Sequence, residues 1–521
     1  MSSIFSHRRF ASPFVVDHYR PSSESCLLGL GTASALLYAT LWLVRRYGPY
    51  VFTEARSPSH RDPSVPADRL LTRIHGRWHD LTKFDHPGGP IALSLVHLRD
   101  GTALFESHHP FVDRKYLMRT LARYEVPNSG GSSERRGKEE NDDDDGSASS
   151  LGCALMDPRD DGSVYDWSGT EEEGGFASDM RRLVRAHFAS IASSRGISVS
   201  RAAKATPRRW ALVLALMAAF FASLPMYVSG CWAFLFVTPI LAWVTAVNYW
   251  HDALHFGLSS DWRVNAWLPY LFPYYSSPWT WYHEHVIGHH AYPNVEHRDP
   301  DLAHAPQLMR EHDSVRWRDT HVGQSRLRRV LLVWSVALGL GLSLLSDARA
   351  NVKLSYNNVV PYASLSRPRC AAHVLGRLAY VSLMHVWPYL TTSFPMWKAT
   401  IWATLPGMIL SVCFMINTQV NHLTRDCAHA SDADFYKHQV VTAQNFGNGS
   451  LFCYYFSGGL NYQIEHHLFP TVNHCHLPAL SKGVRMICEK HGVPYHLAAG
   501  YRDAMRRHMA HTLEMEKRPT T

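Results

Sequence analysis

The sequence predicts a multi-domain protein: a small N-terminal α+β domain, then an α-helical integral membrane domain with four main transmembrane helices and peripheral helices. Two observations predict the membrane domain. Long apolar runs alternate with a very polar central segment, and histidines cluster directly after several of these runs. The third observation is length, because 521 residues exceed what one hydrophobic core usually organises, so two or three domains are expected.

The first apolar run lies close to the N-terminus. Residues 1–25 are polar, and the run Cys26–Val44 that follows is closed by Arg45 and Arg46. About 20 apolar residues span a bilayer as a helix, and a basic pair favours the cytosolic side. We therefore predict a transmembrane anchor over residues 26–46. A cleaved signal or transit peptide is the alternative, although the run lacks a convincing small-residue cleavage site.

A small α+β domain that could bind a flat ligand is predicted over residues 70–126. His86 precedes Pro87, Gly88 and Gly89, and the glycines allow the backbone to approach such a ligand closely. A second histidine follows at position 109, with His108 directly before it. Two histidines placed in this way can occupy both axial positions of a haem.

The next segment, residues 127–175, is rich in glycine, serine and acidic residues, including the run Asp142–Asp145. Such a composition cannot bury enough apolar surface to offset the entropy of ordering, so we predict a disordered linker with a reach of about 35–40 Å. The linker would let the small domain visit a site on the same membrane face. Phe176–Ile191 then shows apolar residues at helical spacing, which predicts an amphipathic helix on the membrane surface.

Two helical hairpins are predicted in the rest of the chain, which ends in a tail over residues 501–521. A shorter run, Val330–Leu345, is expected to be peripheral or re-entrant, because counting it as a span would place the last histidine cluster across the bilayer. The four predicted spans are Trp210–Tyr227, Cys231–Trp250, Val374–Leu390 and Met396–Ile416.

Charge and cysteine content narrow the class of protein. A net charge of +8 fits contact with anionic lipid headgroups, and the chain contains no nucleic-acid-binding motif. The nine cysteines include no C-x-x-C pair. This argues against a disulfide scaffold or a zinc ribbon and favours reduced thiols on the cytosolic side.

Three histidine clusters predict a metal centre: HDALH at 251–255, HVIGHH at 285–290 and QIEHH at 463–467. Residues four apart on a helix are neighbours, so His251 and His255 can face one metal, as can His285 and His289. The adjacent His290 and His467 extend the clusters towards a second metal. Imidazoles without a cysteine cluster or a carboxylate cage favour iron, copper or zinc over magnesium or calcium.

The order and separation of these clusters resemble the membrane fatty acid desaturase superfamily. The third cluster begins with Gln463, where the superfamily at large has histidine, and GGLNYQIEHHLFP at 458–470 is close to a signature by itself. The His-Pro-Gly-Gly segment at 86–89 resembles cytochrome b5. Together these features resemble the front-end desaturases of polyunsaturated fatty acids and the related sphingolipid desaturases, with the desaturase domain over residues 176–500.

The resemblance implies a di-iron centre and a b-type haem. For the haem it implies His86 and His109 as axial ligands, with His108 as the alternative to His109. Asp252, Glu284 and Glu465 lie beside iron ligands in the chain and are expected to accept hydrogen bonds that fix imidazole tautomers. Gln463 is an expected weak or water-mediated ligand. The implied iron ligands are His251, His255, His285, His289, His290, His422, His466 and His467.

The implied activity is front-end desaturation of a polyunsaturated fatty acyl chain carried by a lipid or by CoA. A cis double bond is inserted while dioxygen is reduced to water, with electrons delivered through the haem domain. A sphingolipid long-chain-base desaturase and a superfamily hydroxylase are the alternatives. The chain has no G-x-G-x-x-G fingerprint, so a separate cytochrome b5 reductase is expected. The expected location is the endoplasmic reticulum membrane, with both domains facing the cytosol; a plastid membrane is the alternative.

Overall fold

A computed structural model describes most of the chain after residue 68. The described residues are 69–127, 164–271, 277–303, 309–326, 366–390 and 394–519, with the short pieces 306, 334–335, 350, 355–357 and 359–361. The predicted anchor over residues 26–46, most of the predicted linker and most of the run at 330–345 lie outside them.

Residues 69–127 contain one antiparallel strand pair and three short helices. Strand β1 (Leu71–Ile74) pairs with β2 (Arg77–Asp80), with Leu71 opposite Asp80. Asp113 begins the last helix by accepting a hydrogen bond from the Tyr116 backbone N–H at 3.0 Å. The helices are Pro90–Leu95, Thr102–His108 and Arg114–Ala122.

The prediction of a disordered linker is wrong for residues 164–175. Tyr165 is buried there and donates a hydrogen bond from its hydroxyl group to the Ala291 carbonyl at 2.9 Å. Asp166 forms a β-bridge with Asp434, and a 3₁₀ turn follows at Ser168–Glu171. The reason is local, because two aromatic side chains at 165 and 167 pack onto the membrane domain although the segment as a whole is polar.

The helix Phe176–Arg195 is amphipathic, as the periodicity predicts, but the prediction that its apolar face lies on the membrane surface is wrong. Its apolar stripe, which includes Met180, Val184 and Phe188, is fully buried. The stripe packs against the helix Leu477–Lys490. The periodicity identifies the apolar face of a helix but not the surface that covers it.

Within the described residues, three helices are long and apolar enough to span a membrane: Pro207–Val228, Trp232–Leu254 and Met396–His422. The second of these changes from α-helix (Trp232–Thr245) to a π-helical turn (Ala246–Trp250) before its last α-helical turn (His251–Leu254). An α-helical membrane domain is therefore confirmed.

The remaining predicted span, Val374–Leu390, is helical but more polar. It runs from the α-helix Arg367–Val381 through a π turn at Ser382–Val386 to Trp387–Leu390, and it packs against Met396–His422 as a hairpin. Leu375, Leu378 and Leu390 are exposed on its outer side. The predicted count of four transmembrane helices stays a prediction.

The membrane domain also contains two short strand pairs and several short helices. Strands β3 (Ser355–Tyr356) and β4 (Val360–Pro361) form an antiparallel pair, and β5 (Gln444–Phe446) and β6 (His496–Ala498) form a parallel pair. The other helices are Val199–Ala202, Trp262–Trp267, Pro278–Trp281, Phe435–Val441, Leu451–Phe456 and Gln463–Leu468, with a π-helix at Tyr282–His289 and 3₁₀ turns at 268–271, 300–303, 319–321, 460–462 and 474–476.

The prediction of a C-terminal tail over residues 501–521 is wrong, because Tyr501–Met515 forms a helix that packs on the rest of the protein. It contacts the helix Met396–His422 and buries Ala504, His508 and Met515. His508 donates a hydrogen bond from Nδ1 to the Leu423 carbonyl at 2.8 Å. Successive members of this set are about one and two helical turns apart, which places them on one face.

Candidate metal centre

Four elements bring the histidine clusters together on one side of the spanning helices. The first cluster ends the helix Trp232–Leu254, and the second lies on the π-helix Tyr282–His289. The third lies on the short helix Gln463–Leu468, and His422 is the last residue of the longest spanning helix. Turns of π-helix are frequent at functional sites, and here one directly precedes the first cluster and another contains most of the second.

The imidazoles form two buried groups. In each group the nitrogen atoms that face one another all lie within 4.8 Å. His290 lies between the groups: its Nε2 is 3.1 Å from Nε2 of His285, and its ring stacks at 4.2 Å on that of His467. All eight predicted histidine ligands are thus brought together. The first group comprises His251, His255, His285 and His466, and the second comprises His289, His422 and His467.

The expectation that His285 and His289 face one metal is wrong. His285 belongs to the first group and His289 to the second. The reason is the π-helix, in which the His290 N–H donates to the His285 carbonyl at 2.8 Å, five residues back. The wider turn changes the directions of side chains four apart, so the spacing rule for α-helices does not apply.

The donor atoms of both groups fit metal ions. Among the described residues, both ring nitrogens of His255 and the Nε2 atoms of His466 and His467 are buried without a hydrogen-bond partner. A buried polar atom left unpaired costs about 1–3 kcal/mol. Burial lowers the pKa of these three imidazoles well below the usual value, which keeps them in the neutral form that binds a metal.

Partners on the far side of the rings fix the imidazoles of the second group. His289 Nδ1 is 3.0 Å from Asp299 Oδ2, and His422 Nδ1 donates to the Thr442 carbonyl at 2.9 Å. His467 Nδ1 donates to Gln439 Oε1 at 2.9 Å. These contacts turn each Nε2 towards the centre. Sequence reasoning did not assign these partners; only Asp299, close after the second cluster, had a signal in the sequence.

His474 lies beside the first group, and sequence reasoning did not single it out. Its Nε2 lies 3.2 Å from Nδ1 of His466, and its Nδ1 donates to the Gly458 carbonyl at 2.8 Å. Asp252 Oδ1 lies 3.1 Å from the same Nδ1. Asp252 was expected to accept a hydrogen bond from an iron ligand. In the structure it contacts His474, which in turn contacts His466 of the first group. Its other oxygen binds Arg209 at 3.2 Å.

The remaining polar candidates have different surroundings. Gln463 Nε2 is 2.9 Å from His422 Nε2, so this amide lies against the second group. Glu284 lines the cavity beside the centre. Glu465 accepts hydrogen bonds from Asn445 and Tyr495, both at 2.7 Å, and neither of these partners is an imidazole.

A small cavity of about 40 Å³ borders both histidine groups. Its walls come from the spanning helices and the segment before the second cluster, and His251, His285, His289 and His422 lie on its lining. This space holds small molecules beside the centre, and apolar side chains form much of its wall. The apolar lining residues are Trp243, Ala246, Val247, Trp250, Trp281, Phe414 and Leu460.

A second cavity, of about 440 Å³, lies between the small domain and the membrane domain, and the other predicted histidine pair lines it. The rings of His86 and His109 lie across from each other with centroids 5.8 Å apart at an angle of 82°. His109 Nδ1 donates to the Phe105 carbonyl at 2.8 Å, which turns Nε2 away from the helix. His108 also lines the cavity, but its Nδ1 bonds to Ser107 Oγ at 2.9 Å.

The chain was compared with known proteins. The family model for fatty acid desaturases matches residues 226–499. A Delta(5) fatty acid desaturase A of Dictyostelium discoideum is 25% identical and covers 86% of this chain and 90% of the relative. An acyl-lipid (8-3)-desaturase of Physcomitrium patens is 27% identical (86% and 88%), and an acyl-lipid omega-13 desaturase of Chlamydomonas reinhardtii is 26% identical (83% and 90%). No solved structure matches.

Proposed function

This chain belongs to the fatty acid desaturase family, and on that premise we propose that it is a front-end desaturase of polyunsaturated fatty acyl chains. It is an oxidoreductase that introduces double bonds, and the resemblance of the sequence to the front-end desaturases is confirmed. The observation that carries the proposal is the convergence of two buried histidine groups beside a small cavity with apolar walls.

The two histidine groups would hold two iron ions, one ion in each group. Iron bound there supplies the activation of dioxygen that removal of hydrogen from an unactivated methylene requires. The buried imidazoles bind the metals, and Asp299, Thr442 and Gln439 hold the rings of the second group in place. His290, between the groups, is within reach of both.

The acyl chain is proposed to enter between the apolar walls of this cavity, which must widen beyond the 40 Å³ seen in the structure to admit it and would then keep water away from the reacting carbons. Its tryptophan walls offer large rigid apolar surfaces, and Glu284 and Asp301 are acidic groups on its lining. The names of the relatives refer to different bond positions, so the position of the new double bond is left to experiment.

The small domain is proposed to carry a b-type haem between His86 and His109. The support is the facing of these rings across a cavity lined mostly by apolar residues. A separate cytochrome b5 reductase would reduce this haem. We propose the endoplasmic reticulum membrane as the location, with the haem domain and the histidine groups facing the cytosol; the apolar helices make the chain an integral membrane protein.

The proposed function is tested by expressing the chain in yeast fed with a panel of polyunsaturated fatty acids and analysing the lipids by gas chromatography. A new cis double bond on the carboxyl side of an existing one is expected. A His466→Ala chain should give no product. Products limited to hydroxylated acyl chains or to desaturated sphingoid bases would contradict the proposal.

Replacing His474 by phenylalanine is expected to weaken iron binding by about 10–100-fold, since it removes the group that fixes the His466 ring. Iron per chain, measured during dialysis against a chelator, checks this. The matched control is His476→Phe, because His476 bonds to the Lys204 carbonyl and to neither histidine group. Equal iron retention in both variants would show that His474 has no role in holding the metal.

Replacing Gln463 by histidine is expected to cut turnover by about tenfold while iron stays near two per chain. The added imidazole would stand beside His422, where an amide now lies at 2.9 Å, and would change the donor set of the second group. Product formation and iron content measured on the same preparation check this. Wild-type turnover in Gln463→His would mean that the glutamine has no special role.

A further inference from the structure

The small domain and the membrane domain share one apolar core. Ile91, Leu95 and Leu104 of the small domain are at most 9% exposed and belong to the same buried cluster as the spanning helices. At Gly89 the backbone has φ +83°, and a Cβ there would lie 2.3 Å from the Trp262 ring. Such close packing describes a docked domain, which differs from the expectation of a domain that visits the site on a loose linker.

One buried carboxylate lies at the centre of this contact. Glu106 of the small domain has a side chain that is 1% exposed, and it binds Arg114 and His75 of its own domain at 2.6 Å. The membrane domain completes its surroundings with the Tyr436 hydroxyl at 3.2 Å and Arg181 at 3.6 Å. Although burial opposes it, the hydrogen bond from His75 and the charge of Arg114 lower the pKa of Glu106 to about 2. The carboxylate is therefore charged at neutral pH.

The membrane domain also forms part of the wall of the cavity that contains His86 and His109. Phe256 and Val286 line this cavity. In the chain Phe256 directly follows His255, and Val286 directly follows His285, and both histidines belong to the first group. Phe256 is held at φ +57°, an unfavourable conformation for an aromatic residue, and Lys204 donates to its carbonyl at 2.9 Å. The cavity wall is thus one residue away from two proposed iron ligands.

We propose that contacts of Arg181 and Tyr436 with Glu106 hold residues 69–127 docked on their own chain, and that this placement directs electrons from the haem to the first histidine group through Phe256 and Val286. The proposal rests on the proposed function.

Each double bond removes two hydrogen atoms from the acyl chain. Dioxygen takes these together with two electrons and two protons and becomes two water molecules. The haem passes the electrons singly, so a flavin reductase must reduce it twice per turnover.

Docking matters because it sets the concentration of the donor at its acceptor. A linked domain acts at an effective concentration that depends on geometry, and a fixed contact raises that value further. Arg181 and Tyr436 are the partners that Glu106 has in the membrane domain, whereas Arg114 and His75 belong to its own domain and keep the charge paired. Loss of Arg181 and Tyr436 should therefore weaken the docking while the strands, helices and histidines of the small domain stay intact.

The test uses the full-length protein in detergent with Arg181→Ala combined with Tyr436→Phe. The control is Arg182→Ala, on the same helix, because Arg182 pairs with Asp179 of the membrane domain. Tyr436→Phe alone is the second variant, since it removes one hydroxyl group and keeps the ring. Hydrogen–deuterium exchange of Thr102–His108 reports docking without requiring metal or haem. Stopped-flow reoxidation of the reduced haem, with fatty acyl substrate and dioxygen, reports electron transfer.

In the double variant we expect exchange of Thr102–His108 and the haem reoxidation time each to increase by about tenfold, with an unchanged haem spectrum. Tyr436→Phe should increase both the exchange and the reoxidation time, whereas Arg182→Ala should change neither quantity. Unchanged exchange, or unchanged reoxidation, in the double variant would overturn the proposal. A wild-type protein without a haem spectrum would contradict the proposed haem and the electron route, and the exchange result would still decide the docking.

Discussion

Replacing His255 or His467 by alanine is expected to reduce desaturation by at least about a thousandfold. Each side chain is fully buried, and each supplies a nitrogen without a hydrogen-bond partner to one of the two groups. Loss of one imidazole removes a ligand and leaves a cavity. A metal that stabilises the transition state contributes several kcal/mol, and about 1.4 kcal/mol corresponds to a factor of ten in rate.

The measurement combines fatty acid analysis of expressing yeast with iron analysis of the purified variants. His321→Ala is the matched control, because His321 is equally buried but donates to the Pro306 carbonyl, outside both groups. The control should lose stability but keep its iron and its products. Desaturation at the wild-type rate in either ligand variant would show that its group is not catalytic.

Replacing His109 by alanine is expected to abolish the low-spin haem spectrum, whereas His108→Ala should preserve it. The His109 ring faces His86 at 5.8 Å, while His108 is bound to Ser107. Without haem no electrons reach the iron, so desaturation driven by a reductase should fall to the background level. Absorption spectra of the reduced proteins and product analysis check both effects.

The paired variants give a clear contrast because both histidines line the same cavity. Loss of either therefore removes a ring from the cavity wall, but only one is expected to remove a haem ligand. A haem spectrum that survives in His109→Ala and disappears in His108→Ala would reverse the assignment.

The eight histidines proposed as iron ligands could be picked out of the sequence because each stands in or beside a short motif near an apolar run. Their division into two spatial groups could not be predicted. The rule that residues four apart share one face assumes an α-helix. No pattern in the sequence predicts the π-helix that directs His285 and His289 into different groups. His474, Gln439 and Thr442 were missed because their roles arise from tertiary contacts between segments with no shared motif.

The fold shows the same limit. Spans such as Pro207–Val228 are recognisable because a lipid-facing helix is apolar over most of its surface. Residues 164–175 and the helix Tyr501–Met515 were misjudged because each is polar on average and is ordered by a few buried side chains. For Phe176–Arg195 the periodicity gave the correct apolar face, but protein rather than membrane covers it.

The central claim is that the two histidine groups bind two iron ions. Metal analysis of the purified wild-type chain, combined with a haem assay on the same sample, tests it most directly. We predict two non-haem irons and one haem per chain, with the non-haem iron lost in His255→Ala and His467→Ala. An active preparation that contains only zinc, or a single non-haem iron, would contradict the claim.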